Sequence, residues 1–146
     1  IAELRRMTHN MMPESLIKYG LKEALSDFCN SLNNASCKII FNFYGQSKRL
    51  DKKFENNLYR IAQELINNAL KHAQATEIIV QLVQEHNRIS LIVQDNGKGF
   101  DIKVLDESKN SGIGNIRSRV QSLNGWLEIT SDIGKGTEIT IEYIFN

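Results

Sequence analysis

The chain has 146 residues, 41% of them hydrophobic, enough to bury a proper core as one domain. Eighteen Lys and Arg stand against 17 Asp and Glu, so charge gives no argument for a nucleic-acid or anionic-membrane partner, and no apolar run approaches the roughly 20 residues of a membrane span. Cys29 and Cys37 are too few and too far apart for a CxxC zinc or redox motif, and nothing resembles a signal peptide, so a reducing cytoplasmic setting is expected.

In chain order, residues 1–12 read as the tail of a helix that stops near Pro13. Leu4, Met7, Met11 and Met12 give it an apolar edge, suited to an interdomain contact or simply a frayed terminus. The chain opens on Ile1 rather than methionine, as a piece of a longer protein does. From Ser15 to Leu32 a helical period runs through Leu16, Leu21, Ala24, Leu25, Phe28 and Leu32, interrupted at Gly20. Residues 37–44 have the β-branched and aromatic bias of a strand, ended by Gly45-Gln46-Ser47. A long helix follows over 51–73, with Asp51 as its expected N-cap and Leu58, Ile61, Ala62, Leu65, Ile66, Ala69 and Leu70 as its core stripe. Residues 77–84 and 88–94 form a hairpin around Glu85-His86-Asn87. A helix is expected over 112–124, closed by Asn124-Gly125, and strands over 126–131 and 137–145 flank a turn at 132–136.

Four stretches carry chemistry. On the long helix, at about 100° per residue, Glu64, Asn68 and Lys71 fall within roughly 60° of one another along one flank of the apolar stripe. An amide that ligates a hard cation, an ammonium that meets phosphate and a carboxylate that orients a nucleophile suit a metal-bound polyphosphate; a solvated face with an i,i+4 hydrogen bond is the plain alternative. The second stretch is Asp95-Asn96-Gly97-Lys98-Gly99-Phe100, where a strand gives out. It is ordinary turn chemistry, or else Asp95 accepts a hydrogen bond from the exocyclic amine of adenine while Gly97 and Gly99 let backbone approach a flat base. The third, Ser111-Gly112-Ile113-Gly114, puts glycines at a helix N-terminus, where free N–H groups attract phosphate. Before it, residues 101–110 read as a lid over a ligand or a plain surface loop. The fourth, Gly134-Lys135-Gly136-Thr137, is by itself only a hairpin turn.

The order of these stretches resembles the ATP-binding domain shared by gyrase, Hsp90, MutL and the histidine kinases, over roughly residues 51–146. Within that superfamily the chain looks most like the catalytic domain of sensor histidine kinases of the nitrate-sensor and DesK type. Residues 4–25 resemble the segment by which such kinases leave their dimerisation helices, so 1–20 is expected to be the end of a dimerisation helix with its connector and 21–146 the catalytic ATP-binding domain. The resemblance implies ATP and magnesium as cofactors. It assigns Asn68 to the metal, Lys71 to phosphate, Asp95 and Thr137 to adenine, Gly97, Gly99, Gly112 and Gly114 to the surroundings of base and phosphates, and Glu64 to catalysis beside the γ-phosphate. The implied partners are the phosphoacceptor helices of the same parent, as a homodimer, and a response regulator; no nucleic acid and no membrane contact by this segment are expected.

Two departures stand out. Asn115 replaces a usual leucine after Gly-x-Gly, and Thr8-His9-Asn10 lacks the His-Asp of a phosphoacceptor. His72 reads as a half-buried packing residue, His86 as solvated, and Arg117 and Arg119 as arginines that reach phosphate or solvate a helix face. No His/Cys cluster points to a transition metal and no Ser/His/Asp spacing to covalent catalysis. The fold expected is an α+β two-layer sandwich of the Bergerat type, a mixed sheet of about five strands with three helices on one face. Its function is that of a histidine kinase's ATP-binding domain; an anti-sigma-factor-type serine kinase and a non-catalytic nucleotide-sensing scaffold are the alternatives.

Overall fold

A computed structural model describes residues 12–101 and 112–145. The expected helix tail before Met12, His9 within it, and the lid from Ile102 to Asn110 lie outside the described residues. The elements are α1 (Glu14–Tyr19), α2 (Leu21–Leu32), β1 (Lys38–Gly45), α3 (Lys52–His72), β2 (Glu77–Gln84), β3 (Arg88–Asp95), α4 (Gly112–Ser122), β4 (Trp126–Asp132) and β5 (Gly136–Ile144). The five strands form one mixed sheet in the order β1-β2-β3-β5-β4, parallel between β1 and β2 and antiparallel elsewhere. The architecture is α+β, as the sequence predicts, with a fourth short helix, α1, added by the break at Gly20, whose φ is +91°.

Alternation sets the two faces of the sheet. Ile78, Val80 and Leu82 on β2, Ile89, Leu91 and Val93 on β3, and Ile139, Ile141 and Tyr143 on β5 are buried, and their neighbours are more exposed. Against them α3 lays Leu58, Ile61, Ala62, Leu65, Ile66 and Ala69, each at most 5% exposed. Burial of a Leu or Ile side chain is worth about 1.5–3 kcal/mol, so this stripe fixes the rotation of α3 and thereby the flank on which Glu64, Asn68 and Lys71 stand. No Gly or Pro interrupts α3.

Asp51 is the N-cap residue of α3, as expected, its carbonyl accepting the Glu55 N–H at 2.9 Å. Asp51 makes no side-chain cap hydrogen bond; instead the Glu55 carboxylate reaches back to accept the Leu50 backbone N–H at 3.2 Å. Glu55 is buried at 2% exposure, a charge held by the Arg49 guanidinium at 3.0 Å and 3.2 Å. Arg49 also donates to the carbonyls of Leu16, Ile17 and Lys18, which closes the end of α1 against the first turn of α3. At the other end of the fold, Asn124 takes a left-handed conformation (φ +58°) and the Gly125 N–H returns to the Val120 carbonyl, ending α4 where the Asn-Gly signal places it.

Candidate functional site

The site is built on the ends of three neighbouring strands. Register pairs Asp95 on β3 with Thr137 on β5, and Thr137 with Ser131 on β4. All three share parity with Val93, Ile139 and Ile129, so they stand on the helix-covered face, at its edge. The Asp95 carboxylate accepts the Gly97 N–H at 2.9 Å and the Thr137 N–H. Burial nevertheless pushes its pKa above the ordinary aspartate value, the two N–H groups pulling it back in part. A carboxylate offers about four acceptor positions, so a donor on a ligand still finds one.

Ser131 is the residue that sequence reasoning missed here. Its hydroxyl accepts the Phe100 N–H at 2.9 Å, reaches the Gly136 carbonyl at 3.1 Å and pairs with the Thr137 hydroxyl at 2.8 Å. It therefore orients Thr137 and fastens the segment after Gly99 to β4. A serine inside a strand has no spacing signal; only strand register brings it next to Thr137. Asn96 was passed over as well: its side-chain oxygen accepts the N–H groups of Thr76 and Glu77 at 2.9 and 3.0 Å, and its amide donates to the Thr76 hydroxyl at 2.9 Å. That clips the loop after α3 to the end of β3.

The glycines of this loop serve the protein's own packing. A Cβ on Gly97 would lie 2.2 Å from the Ala73 carbonyl oxygen at the end of α3, and one on Gly99 (φ +64°) would lie 2.0 Å from that of Asp132. Beside them the Lys98 N–H donates to the Ala73 carbonyl at 2.7 Å and the Gly134 N–H to the Lys98 carbonyl at 2.6 Å. The end of α3, the 95–100 loop and the 132–136 turn are thus in backbone contact. A Cβ on Gly114 meets nothing within 4 Å among the described residues, and Gly112 begins α4.

On α3, Asn68 is half-buried and Lys71 exposed, and no hydrogen bond or ion pair engages either side chain among the described residues. Glu64 is different: its carboxylate pairs with the Arg119 guanidinium of α4. Arg119 thus neither simply solvates its helix nor stands apart from the α3 flank. His72 is exposed rather than half-buried: it stands three residues after Ala69 and seven after Leu65, in line with the apolar stripe, but the buried residues of α3 end at Ala69. His86 is exposed in the β2–β3 turn, as predicted. Among the described residues no group of three His, Cys, Asp or Glu could hold a metal. Asn68 could give a hard cation one amide oxygen, with phosphate and water oxygens completing a set that suits magnesium. No helix among the described residues is long and apolar enough to cross a membrane.

Comparison with known proteins gives three findings. The family model of histidine kinase-, DNA gyrase B- and HSP90-like ATPases matches residues 54–145. The chain is 36% identical over 144 residues to the sensor histidine kinase ComP of Bacillus subtilis, covering 97% of this chain and 19% of ComP. It is 38% identical over 136 residues to the histidine-protein kinase/phosphatase DegS of the same organism, covering 89% of this chain and 35% of DegS. The chain therefore spans about a fifth to a third of the length of these relatives. Among solved structures it resembles the histidine kinase domain of a blue-light activated kinase from Erythrobacter litoralis, with a TM-score of 0.65 at 22% identity over 84% of this chain and 59% of that one. It also resembles the histidine kinase domain of the E. coli osmosensor EnvZ, with a TM-score of 0.64 at 17% identity over 86% of each chain. At these identities the structural likeness speaks for the fold.

Proposed function

Because the chain belongs to the histidine kinase-, DNA gyrase B- and HSP90-like ATPase family, we propose that it binds magnesium-ATP as the catalytic part of a sensor histidine kinase, passing the γ-phosphoryl group to a histidine on dimerisation helices of the same parent. The observation that carries this reading is the junction of Asp95 and Thr137 with the end of α3, through the Gly97 and Lys98 contacts to Ala73. One ligand with a polar base and a polyphosphate spans both. Asp95 accepts the exocyclic amine of adenine, and Thr137, oriented by Ser131, reaches the base directly or through water. Lys71 meets phosphate and Asn68 holds the metal. Gly97 and Gly99 bring the loop close, and Gly112 and Gly114 leave the start of α4 open to phosphate.

Magnesium, when bound, neutralises phosphate charge; the protein's own part is positioning. Glu64 accepts a hydrogen bond from the attacking histidine and orients it as the bond from phosphorus to ADP breaks and the bond to the ring nitrogen forms. The parent acts as a homodimer, a response regulator takes the phosphoryl group onward, and the domain works in the cytoplasm. The names of ComP and DegS, both sensor or signalling histidine kinases, support this over a serine kinase or a non-catalytic scaffold. Calorimetric titration tests the first step: ATP binds with magnesium dependence, more tightly than GTP, and Asn68→Ala removes chiefly the magnesium-dependent part. Absence of magnesium-dependent ATP binding at millimolar nucleotide overturns the reading.

A further inference from the structure

We propose that Arg119 exchanges partners on nucleotide binding, leaving Glu64 for the terminal phosphate of ATP, so that Arg119 reads the γ-phosphate and its departure frees the Glu64 carboxylate. The inference rests on the ATP-binding reading above and adds to it a residue and a specificity.

The order of groups along α3 carries the argument. The carbonyl of Ala73, just past the helix, receives the Lys98 N–H, so this end of α3 abuts the Asp95–Gly99 loop where the base is bound. Counting back from Ala73 at 1.5 Å per residue, Lys71, Asn68 and Glu64 lie about 3, about 8 and about 14 Å along the axis. A nucleotide anchored by its base at Asp95 lays its phosphates along this flank, and the phosphate farthest from the base arrives at the level of Glu64. There it meets a carboxylate already paired with a guanidinium, both partly exposed at 36% and 41% and so open to a ligand.

The chemistry of the pair decides what happens next. An unpaired carboxylate at that place repels a phosphate, whereas a guanidinium carries five donors in a planar fork that fits two phosphate oxygens as well as it fits a carboxylate. The terminal phosphate brings more negative charge than Glu64 and competes for the same fork. Once Arg119 turns to phosphate, the Glu64 oxygen that accepted its N–H is vacant for the nucleophile. ADP, one phosphate shorter, stops short of the pair and leaves it intact.

The test is calorimetric titration of this chain with magnesium-ATP and with magnesium-ADP, for the parent and for Arg119→Ala, Arg119→Lys and Glu64→Gln, each variant checked by thermal unfolding. Arg119→Ala is expected to weaken ATP by about tenfold or more, the worth of one charged hydrogen bond, with ADP changed less than about twofold; Arg119→Lys recovers part of the loss. Glu64→Gln, with Arg119 in place, is expected to tighten ATP and leave ADP alone, because the competitor for the guanidinium has lost its charge. Equal losses for ATP and ADP, an Arg119→Ala variant that binds ATP like the parent, or a Glu64→Gln variant that binds ATP more weakly each overturn the proposal. A parent that binds neither nucleotide sinks the ATP-binding reading itself; a parent that binds both, with indifferent Arg119 variants, sinks only this inference.

Discussion

Two of the glycines assigned to the nucleotide site are expected to respond in opposite ways, in stability, to the same added methyl group. In Gly97→Ala the new Cβ lies 2.2 Å from the Ala73 oxygen and 2.6 Å from the Ala73 Cβ, against about 3.4 Å for ordinary contact. The end of α3 and the 95–99 loop must separate by about 1 Å. Overpacking of this kind costs about 1–3 kcal/mol, which at about 2–4 °C per kcal/mol for a chain of this size lowers the melting temperature by roughly 3–10 °C. The same separation moves Lys71 and Asn68 away from Asp95, so one anchor of the nucleotide is lost and ATP affinity falls about tenfold or more. In Gly114→Ala the methyl meets nothing within 4 Å among the described residues, and alanine exceeds glycine inside a helix by about 0.8–1 kcal/mol. The melting temperature holds or rises by a few degrees. ATP affinity still falls, because the methyl occupies the approach of phosphate to the start of α4. Circular-dichroism melts and calorimetric titration of both variants decide the matter. A Gly97→Ala protein that melts like the parent refutes the tight junction of loop and helix, and a Gly114→Ala protein that binds ATP unchanged removes phosphate from α4.

Asp95→Asn is expected to stabilise the nucleotide-free protein while weakening ATP. Burial raises the folded pKa of Asp95, so the ionised form is the one the fold disfavours; stability is whole below the unfolded value near about 3.9 and is lost as pH rises through the folded pKa. Melts from pH 4 to pH 8 should show the advantage of the variant growing with pH, and a constant or reversed gap would falsify the assignment. Ser131→Ala strands the Phe100 N–H, at about 1–3 kcal/mol, and should speed amide exchange at Phe100; unchanged exchange and melting would deny Ser131 its fastening role. This chain alone should not autophosphorylate. A chain extended upstream should do so, and Glu64→Gln should slow transfer without weakening ATP, as befits a group acting mainly in the transition state. Acid-labile label on His9 of the unextended chain would place the acceptor elsewhere than expected.

The sequence made the elements legible where local rules suffice. The stripe from Leu58 to Leu70 set both the span and the rotation of α3, alternation set β2 and β3, and Asn124-Gly125 marked the end of α4. The candidate residues on α3 were legible for the same reason, since helical geometry alone puts Glu64, Asn68 and Lys71 on one flank. What stayed hidden depends on register and long-range pairing. Ser131 becomes a neighbour of Thr137 only when β4 pairs with β5, and Arg119 meets Glu64 only when α4 lies beside α3. Asp51 stands at the N-cap as expected, but its side chain makes no cap bond, and Glu55, buried against Arg49, reaches back to the Leu50 N–H instead. His72 was misread because periodicity gives a side chain's direction but not how far along α3 the buried stripe continues, and it ends at Ala69.

The guanidinium of Arg49 has a mechanical consequence. It holds three carbonyls at the end of α1 and the carboxylate at the start of α3 at once, so a twist entering the chain at Pro13 is not absorbed by a slack tether. Together with Leu16, buried in the core, that contact joins α1 to the helix that carries Glu64, Asn68 and Lys71.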